Sequence, residues 1–113
     1  MSAPAQGDII AFKPEPDAKG HEQQVPWLVV SMKPYNDASK LVMVCPITSH
    51  QGTATSANAT EVLLPANCDT SGVVLTFQLQ AIDWHARKAK SLGSVPFGTL
   101  KAVQRNLKMC LGL

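Results

Sequence analysis

Arginine is nearly missing from this chain: only Arg87 and Arg105 carry a guanidinium. Charged residues make up 16% of the 113 positions and the formal net charge is +2, well short of the basic excess that holds nucleic acid by bulk electrostatics. Any contact with a polyanion must then be local. Cysteine is scarce as well. Cys45, Cys68 and Cys110 are odd in number, widely spaced and without CxxC or histidine partners at metal spacing. That argues against a disulfide framework or a zinc site, and for small hydrophobes in a reducing compartment. No metal or cofactor is expected. There is also no apolar run long enough to span a bilayer, and Met1 to Gln6 has no basic stretch followed by an apolar one. The expectation is a soluble, cytoplasmic protein with no membrane partner.

What is present fits one core. A hydrophobic content of 45% over this length suffices for a single domain spanning residues 1–113, with 1–6 read as a flexible polar leader. Gly7 to Phe12 reads as a strand stopped by Pro14 and Pro16, since proline cannot donate to a ladder. Residues 14–25 follow as a long polar loop. Trp27 to Met32 and Leu41 to Val44 are apolar runs joined by Pro34, Tyr35, Asn36 and Asp37, read as a turn. The Ser, Thr, Gly and Ala tract from Ser49 to Asn58 has little to bury. Short strands are expected at Glu61 to Leu64, Gly72 to Leu75 and within Lys88 to Ser94. Pro96 then opens an amphipathic helix over 96–111, with Phe97, Leu100, Val103, Leu107, Cys110 and Leu111 at spacings of three and four and Gly112 as its stop. Short strands followed by one helix predict a mainly β fold, a small curled antiparallel sheet or barrel with the helix beside it.

Few residues can carry chemistry. His21, in the loop Gly20-His21-Glu22-Gln23-Gln24, is able to exchange protons near neutral pH, although a lone loop histidine is more often merely solvated. Glu22 either orients that imidazole or faces water. Thr48 and Ser49 end a buried strand, so their hydroxyls are placed to bond a phosphate oxygen or to cap a turn. The one basic cluster, Trp84-His85-Ala86-Arg87-Lys88-Ala89-Lys90, combines an indole with cations and suits a single-stranded nucleic acid, while Asp83 offers Arg87 a structural partner instead.

The order of these pieces resembles the MazF/PemK toxins of bacterial type II toxin–antitoxin modules. It comprises Gly7-Asp8-Ile9, the Gly20 to Gln24 loop, Tyr35-Asn36, Cys45-Pro46-Ile47-Thr48-Ser49, Gly72-Val73-Val74-Leu75, Ile82-Asp83-Trp84 with Ala86-Arg87, and a helix after Val95-Pro96. The resemblance runs from Gly7 almost to the end. It implies an SH3-like small β-barrel, a homodimer whose groove holds single-stranded RNA, metal-independent cleavage of mRNA, and a cognate antitoxin that blocks the groove. It also implies His21, Glu22 and Thr48 as catalytic residues, with Ser49 against the RNA; beside them, Trp84, Arg87 and Lys88 of the basic cluster and Lys19 of the loop are the residues expected to bind RNA.

Two departures accompany the resemblance. Active relatives place an arginine before the proline that starts the second strand, where this chain has Val25 before Pro26. PemK-like members carry an arginine and an aspartate after the Gly-Val-Val run, at places held here by Leu75 and Phe77. Impaired cleavage is one expectation. A catalytically silent relative that dimerises and binds antitoxin or RNA is the other.

Overall fold

Among residues 2–12, 25–49 and 61–113, which the computed structural model describes, the chain alternates short strands with two helices. The order is β1 (Asp8–Ala11), β2 (Pro26–Val29), α1 (Lys33–Ser39), β3 (Leu41–Thr48), β4 (Glu61–Leu63), β5 (Val73–Leu75), a 3-10 turn (Thr76–Gln78), β6 (Gln80–Asp83), β7 (Lys90–Ser94) and α2 (Phe97–Leu111). The strands pair antiparallel in the order β4-β5-β3-β2-β1-β7, with β6 also on β3. Among the described residues β4 and β7 are not hydrogen-bonded to each other, so the expected barrel is an open, curled sheet. Val103 and Leu107 of α2 pack against Val62, Leu64 and Val74 of the β4–β5 region, and the helix fills space that closure would need.

β3 organises the sheet. One of its edges faces β2, through Trp27↔Pro46, Leu28↔Cys45 and Val29↔Val44. The other is divided: Leu41 to Val44 pair with β6, and Ile47 and Thr48 with β5. Pro46 falls at the junction. The Met43 carbonyl points to β2, where it accepts from the Val30 N–H at 2.9 Å, so alternation turns the Pro46 nitrogen toward the divided edge. A residue without an N–H is tolerated there because neither β5 nor β6 pairs with it.

The sheet buries both faces. Ile9, Leu28, Cys45, Ile47, Val62 and Val74 meet Val103 and Leu107 of α2 on one. Ile10, Phe12, Val29, Val42, Val44 and Trp84 form the second core, with Trp27 packed against it. This explains why β2 and β3 read as continuous apolar runs rather than alternating ones. Each fully buried aliphatic side chain contributes about 1.5–3 kcal/mol relative to exposure.

Two expectations are corrected. The segment Pro34 to Asp37 is helical rather than a simple turn: Pro34 sits in the first turn, where its missing N–H costs nothing. The helix closes at Lys40, whose left-handed φ of 60° lets its N–H reach the Asn36 carbonyl at 3.0 Å. The second concerns the leader. Ala3 is buried, the Asn36 amide donates to the Pro4 carbonyl at 2.9 Å, and the Lys33 ammonium donates to the Ala3 carbonyl at 2.9 Å. Residues 2–6 are therefore docked on α1 rather than flexible. At the other end, α2 begins one residue after Pro96 and stops at Gly112, whose φ of 72° turns its N–H onto the Lys108 carbonyl. The helix buries Val103, Asn106 and Leu107; Phe97, Cys110 and Leu111 of the expected apolar stripe are exposed.

Candidate functional site

Thr48 and Ser49 stand exposed where β3 ends, as their sequence position predicted. Val42 and Val44 belong to the Trp84 core while Cys45 and Ile47 face α2, so the period of two puts the Thr48 side chain on the Trp84 side. Continuing the β2–β3 register from Trp27↔Pro46 brings Val25 opposite Thr48. On the other side Thr48 pairs with Val73, and Gly72 follows so closely that a Cβ there would lie 2.2 Å from the Thr48 carbonyl oxygen. Gly72 also has φ +133°, a conformation L side chains rarely adopt. Only glycine allows the backbone to hold Thr48 at this edge.

The basic cluster is a turn between β6 and β7, anchored at both ends. The Asp83 carboxylate accepts from the Ala86 N–H at 2.8 Å, and the Ala89 N–H donates to the Trp84 carbonyl at 3.0 Å. Asp83 thus shapes the turn rather than neutralising Arg87. The Arg87 guanidinium lies over the Phe12 ring, 5.1 Å from its centroid, and Phe12 packs edge-on against Trp27 at 6.3 Å. Ala11↔Pro26 is the last β1–β2 pair, which places Phe12 level with Val25. Arg87 is therefore held on the same face and at the same end of the sheet as Thr48, with β2 between them; two strand spacings amount to about 10 Å. Lys88 is exposed on the turn with φ +53°.

Trp84 is a correction. Its indole is 1% exposed, and its Nε1 donates to the Asn36 carbonyl at 2.8 Å, so it has no free face on which a base could stack. A buried aromatic with a single polar tip is best satisfied by an internal carbonyl, and that demand outweighs any surface role. His85 packs edge-on to it at 5.7 Å, and the Lys40 ammonium lies 5.7 Å above its ring. His21, Glu22 and Lys19 lie outside the described residues. Leu75 is half-buried and Phe77 is 52% exposed, so neither later-strand position presents a charge. Phe12 was missed by sequence reasoning, because no local signal marks a strand-end phenylalanine as a platform for an arginine 75 residues further along the chain.

Cys45 is fully buried, and burial, followed by the neighbouring Cys110, pushes its thiol up to about 12. Burial and then Asp69 raise Cys68 as well. Neither is primed as a nucleophile. Among the described residues no group of three or more His, Cys, Asp or Glu side chains is placed to hold a metal ion, and no helix is long and apolar enough to cross a membrane.

Comparison with known proteins bears on this geometry. A family described as PemK-like, MazF-like toxin of type II toxin–antitoxin system matches residues 5–111. The chain is similar to endoribonuclease toxin ChpB of Escherichia coli strain K12, at 38% identity over 91 residues, covering 78% of this chain and 77% of that protein. It is similar to endoribonuclease PemK of Escherichia coli at 34% identity over 108 residues, covering 94% and 80%. A MazE–MazF crystal structure from Deinococcus radiodurans superimposes with a TM-score of 0.82 at 34% identity, covering 98% of both chains.

Proposed function

The chain belongs to the PemK-like, MazF-like toxins of type II toxin–antitoxin systems, and on that premise we propose that it is a cytoplasmic endoribonuclease that cleaves single-stranded mRNA without a metal ion. A base takes the proton of a ribose 2′-OH, and the alkoxide attacks the adjacent phosphorus. The 5′-oxygen leaves with a proton from an acid, giving a 2′,3′-cyclic phosphate and a 5′-hydroxyl. His21 exchanges these protons, Glu22 orients it, and the Thr48 and Ser49 hydroxyls donate to the phosphate. Lys19 and Lys88 contact the RNA backbone.

The observation that carries this reading is Arg87 on the face and at the sheet end of Thr48. Val25, Leu75 and Phe77 leave the family's arginine and aspartate positions without charge, and Arg87, stacked on Phe12, is the cation that steadies the phosphorane instead. Loss of one stabilising donor commonly costs about 10²–10³ in rate, so cleavage is slow relative to arginine-bearing relatives. The same uncharged positions favour a second reading, a silent relative that binds antitoxin or RNA without cutting.

Two partners follow. A second copy and an antitoxin both need apolar surface, and a groove of about 380 Å³ lined in part by Val30, Met43, Leu79, Leu107, Leu111 and Leu113 offers it. The apolar side chains of β2 and β3 are largely absorbed by the protomer's own core and do not supply that surface, with Leu28, Val29, Val42 and Val44 at 0% exposure.

The test is single-turnover cleavage of a long single-stranded RNA in EDTA, followed against pH. Wild type should cut slowly, His21→Ala should not cut, and Val25→Arg should raise the rate. An unchanged pH profile in His21→Ala removes His21 from the mechanism. No cutting by any of the three makes the silent relative the reading to keep.

A further inference from the structure

Charge is segregated along this chain. No aspartate or glutamate lies between Trp84 and Leu113, while Arg87, Lys88, Lys90, Lys101, Arg105 and Lys108 all do. The last three line one cavity of about 230 Å³ together with Gln104 on the solvent side of α2. They recur in steps of about 4.5–6 Å along the helix axis. At the head of this stripe Phe97 is 72% exposed, and the Lys101 ammonium lies 5.4 Å from its ring centroid. This face is separate from the Thr48 site, because α2 packs on the sheet face opposite Phe12 and Trp84, and it borders the apolar groove, which Gln104 and Lys108 also line.

We propose that the solvent face of α2 is a second contact surface for single-stranded RNA, on which Lys101, Arg105 and Lys108 track phosphates and Phe97 stacks one base. The assignment rests on the reading of single-stranded RNA as the ligand. A row of cations next to an exposed aromatic is the combination that grips single strands without reading sequence. An acidic protein segment would be met by the cations but would give Phe97 no π-face to stack on. RNA leaving the Thr48 end reaches α2 only by passing round the sheet edge, so the surface acts on long strands and not on short ones. It raises the local concentration of long transcripts at a site that has few cations of its own.

The experiment measures anisotropy of mixed-sequence RNAs of 5 and 20 nucleotides, in EDTA, across a potassium chloride series. The proteins are wild type, the triple variant Lys101→Ser/Arg105→Ser/Lys108→Ser, and Phe97→Ser. All four positions are exposed, so the variants keep the fold. The triple variant should bind the 20-mer at least tenfold more weakly, with the log–log salt slope reduced by about 2, since each phosphate contact on a single strand contributes about 0.7. Phe97→Ser should weaken the 20-mer about tenfold with the slope unchanged. Neither should alter binding of the 5-mer. An unchanged 20-mer slope with the 5-mer still bound overturns the surface while leaving the nuclease reading intact. Equal losses on both lengths also overturn it, as an effect on the groove or fold. If wild type binds neither length, the RNA reading fails and takes the surface with it. A polyglutamate peptide of 20 residues bound as tightly as the RNA, and released equally by the triple variant, makes the stripe an acidic-protein face and overturns the assignment.

Discussion

The indole of Trp84 and the main-chain carbonyl of Asn36, 48 residues apart, are joined by a 2.8 Å hydrogen bond inside the protein. The same carbonyl caps α1 through Lys40, and the Asn36 side chain holds the leader through Pro4 and the β2–α1 connection through Ser31. One buried residue thus ties four segments, and through Trp84 it fixes the turn that carries Arg87.

Substitution at either residue should be costly. Trp84→Phe loses the bond and part of the packing, for about 1–3 kcal/mol, and Trp84→Ala about 3–5 kcal/mol. Asn36→Asp should be worse than Asn36→Ala, because it turns carboxylate oxygens toward the carbonyls of Pro4 and Ser31 that the amide now satisfies. Urea midpoints at constant m-value check the order.

Glycine positions should respond in opposite senses. Gly72→Ala places a methyl against the Thr48 carbonyl in a conformation it disfavours, so it should cost about 2 kcal/mol or more and depress cleavage by displacing Thr48. Gly98→Ala has nothing within 4 Å and should leave stability unchanged or raise it by up to about 1 kcal/mol. Thermal unfolding of the two variants separates them.

Arg87→Gln should slow cleavage by about 10²–10³ while costing only about 0.5–1 kcal/mol of stability, the usual worth of an exposed cation–π contact. Rates and melting midpoints measured on the same samples decide whether Arg87 is chemical or only structural. A loss of stability with no loss of rate places it in the second class.

Alkaline pH should destabilise the fold through Cys45. Its folded value near 12 lies above its ordinary value of 9.0, so the folded state retains a proton that the unfolded state releases. The contribution is whole below pH 9 and declines as pH rises toward 12, at no more than about 1.4 kcal/mol per pH unit. Denaturation between pH 8 and 11, for wild type and Cys45→Ala, reads the difference: the slope should flatten in the variant.

The strands of β2 and β3 and the helix α2 were legible because burial on both sheet faces writes continuous apolar runs, and a packed helix face writes a period near 3.6. α1 was not, since a seven-residue helix with a proline, an asparagine and an aspartate has the composition of a turn. β6 (Gln80–Asp83) was missed for a related reason: its burial is partial, so its pattern is faint. At the site, Thr48 and Ser49 were placed by the end of their strand. Trp84 was misjudged because a tryptophan beside basic residues reads the same whether its ring faces water or the core. Only its distant hydrogen-bond partner decides.

The proline in the middle of β3 has a mechanical meaning. Since the ladder on one edge is interrupted at Pro46, the β4–β5 hairpin is coupled to the rest of the sheet through two residue pairs, Ile47↔Val74 and Thr48↔Val73. The β6 side of β3 is held by four. A sheet joined so unevenly should open first at its weaker seam, and hydrogen exchange should then show hairpin amides exchanging in events that leave β1, β2 and β6 closed. Thr48 lies on that seam, so the hydroxyl proposed to meet the phosphate rides on the more weakly joined part of the sheet, and a ligand bound there should hold the seam closed.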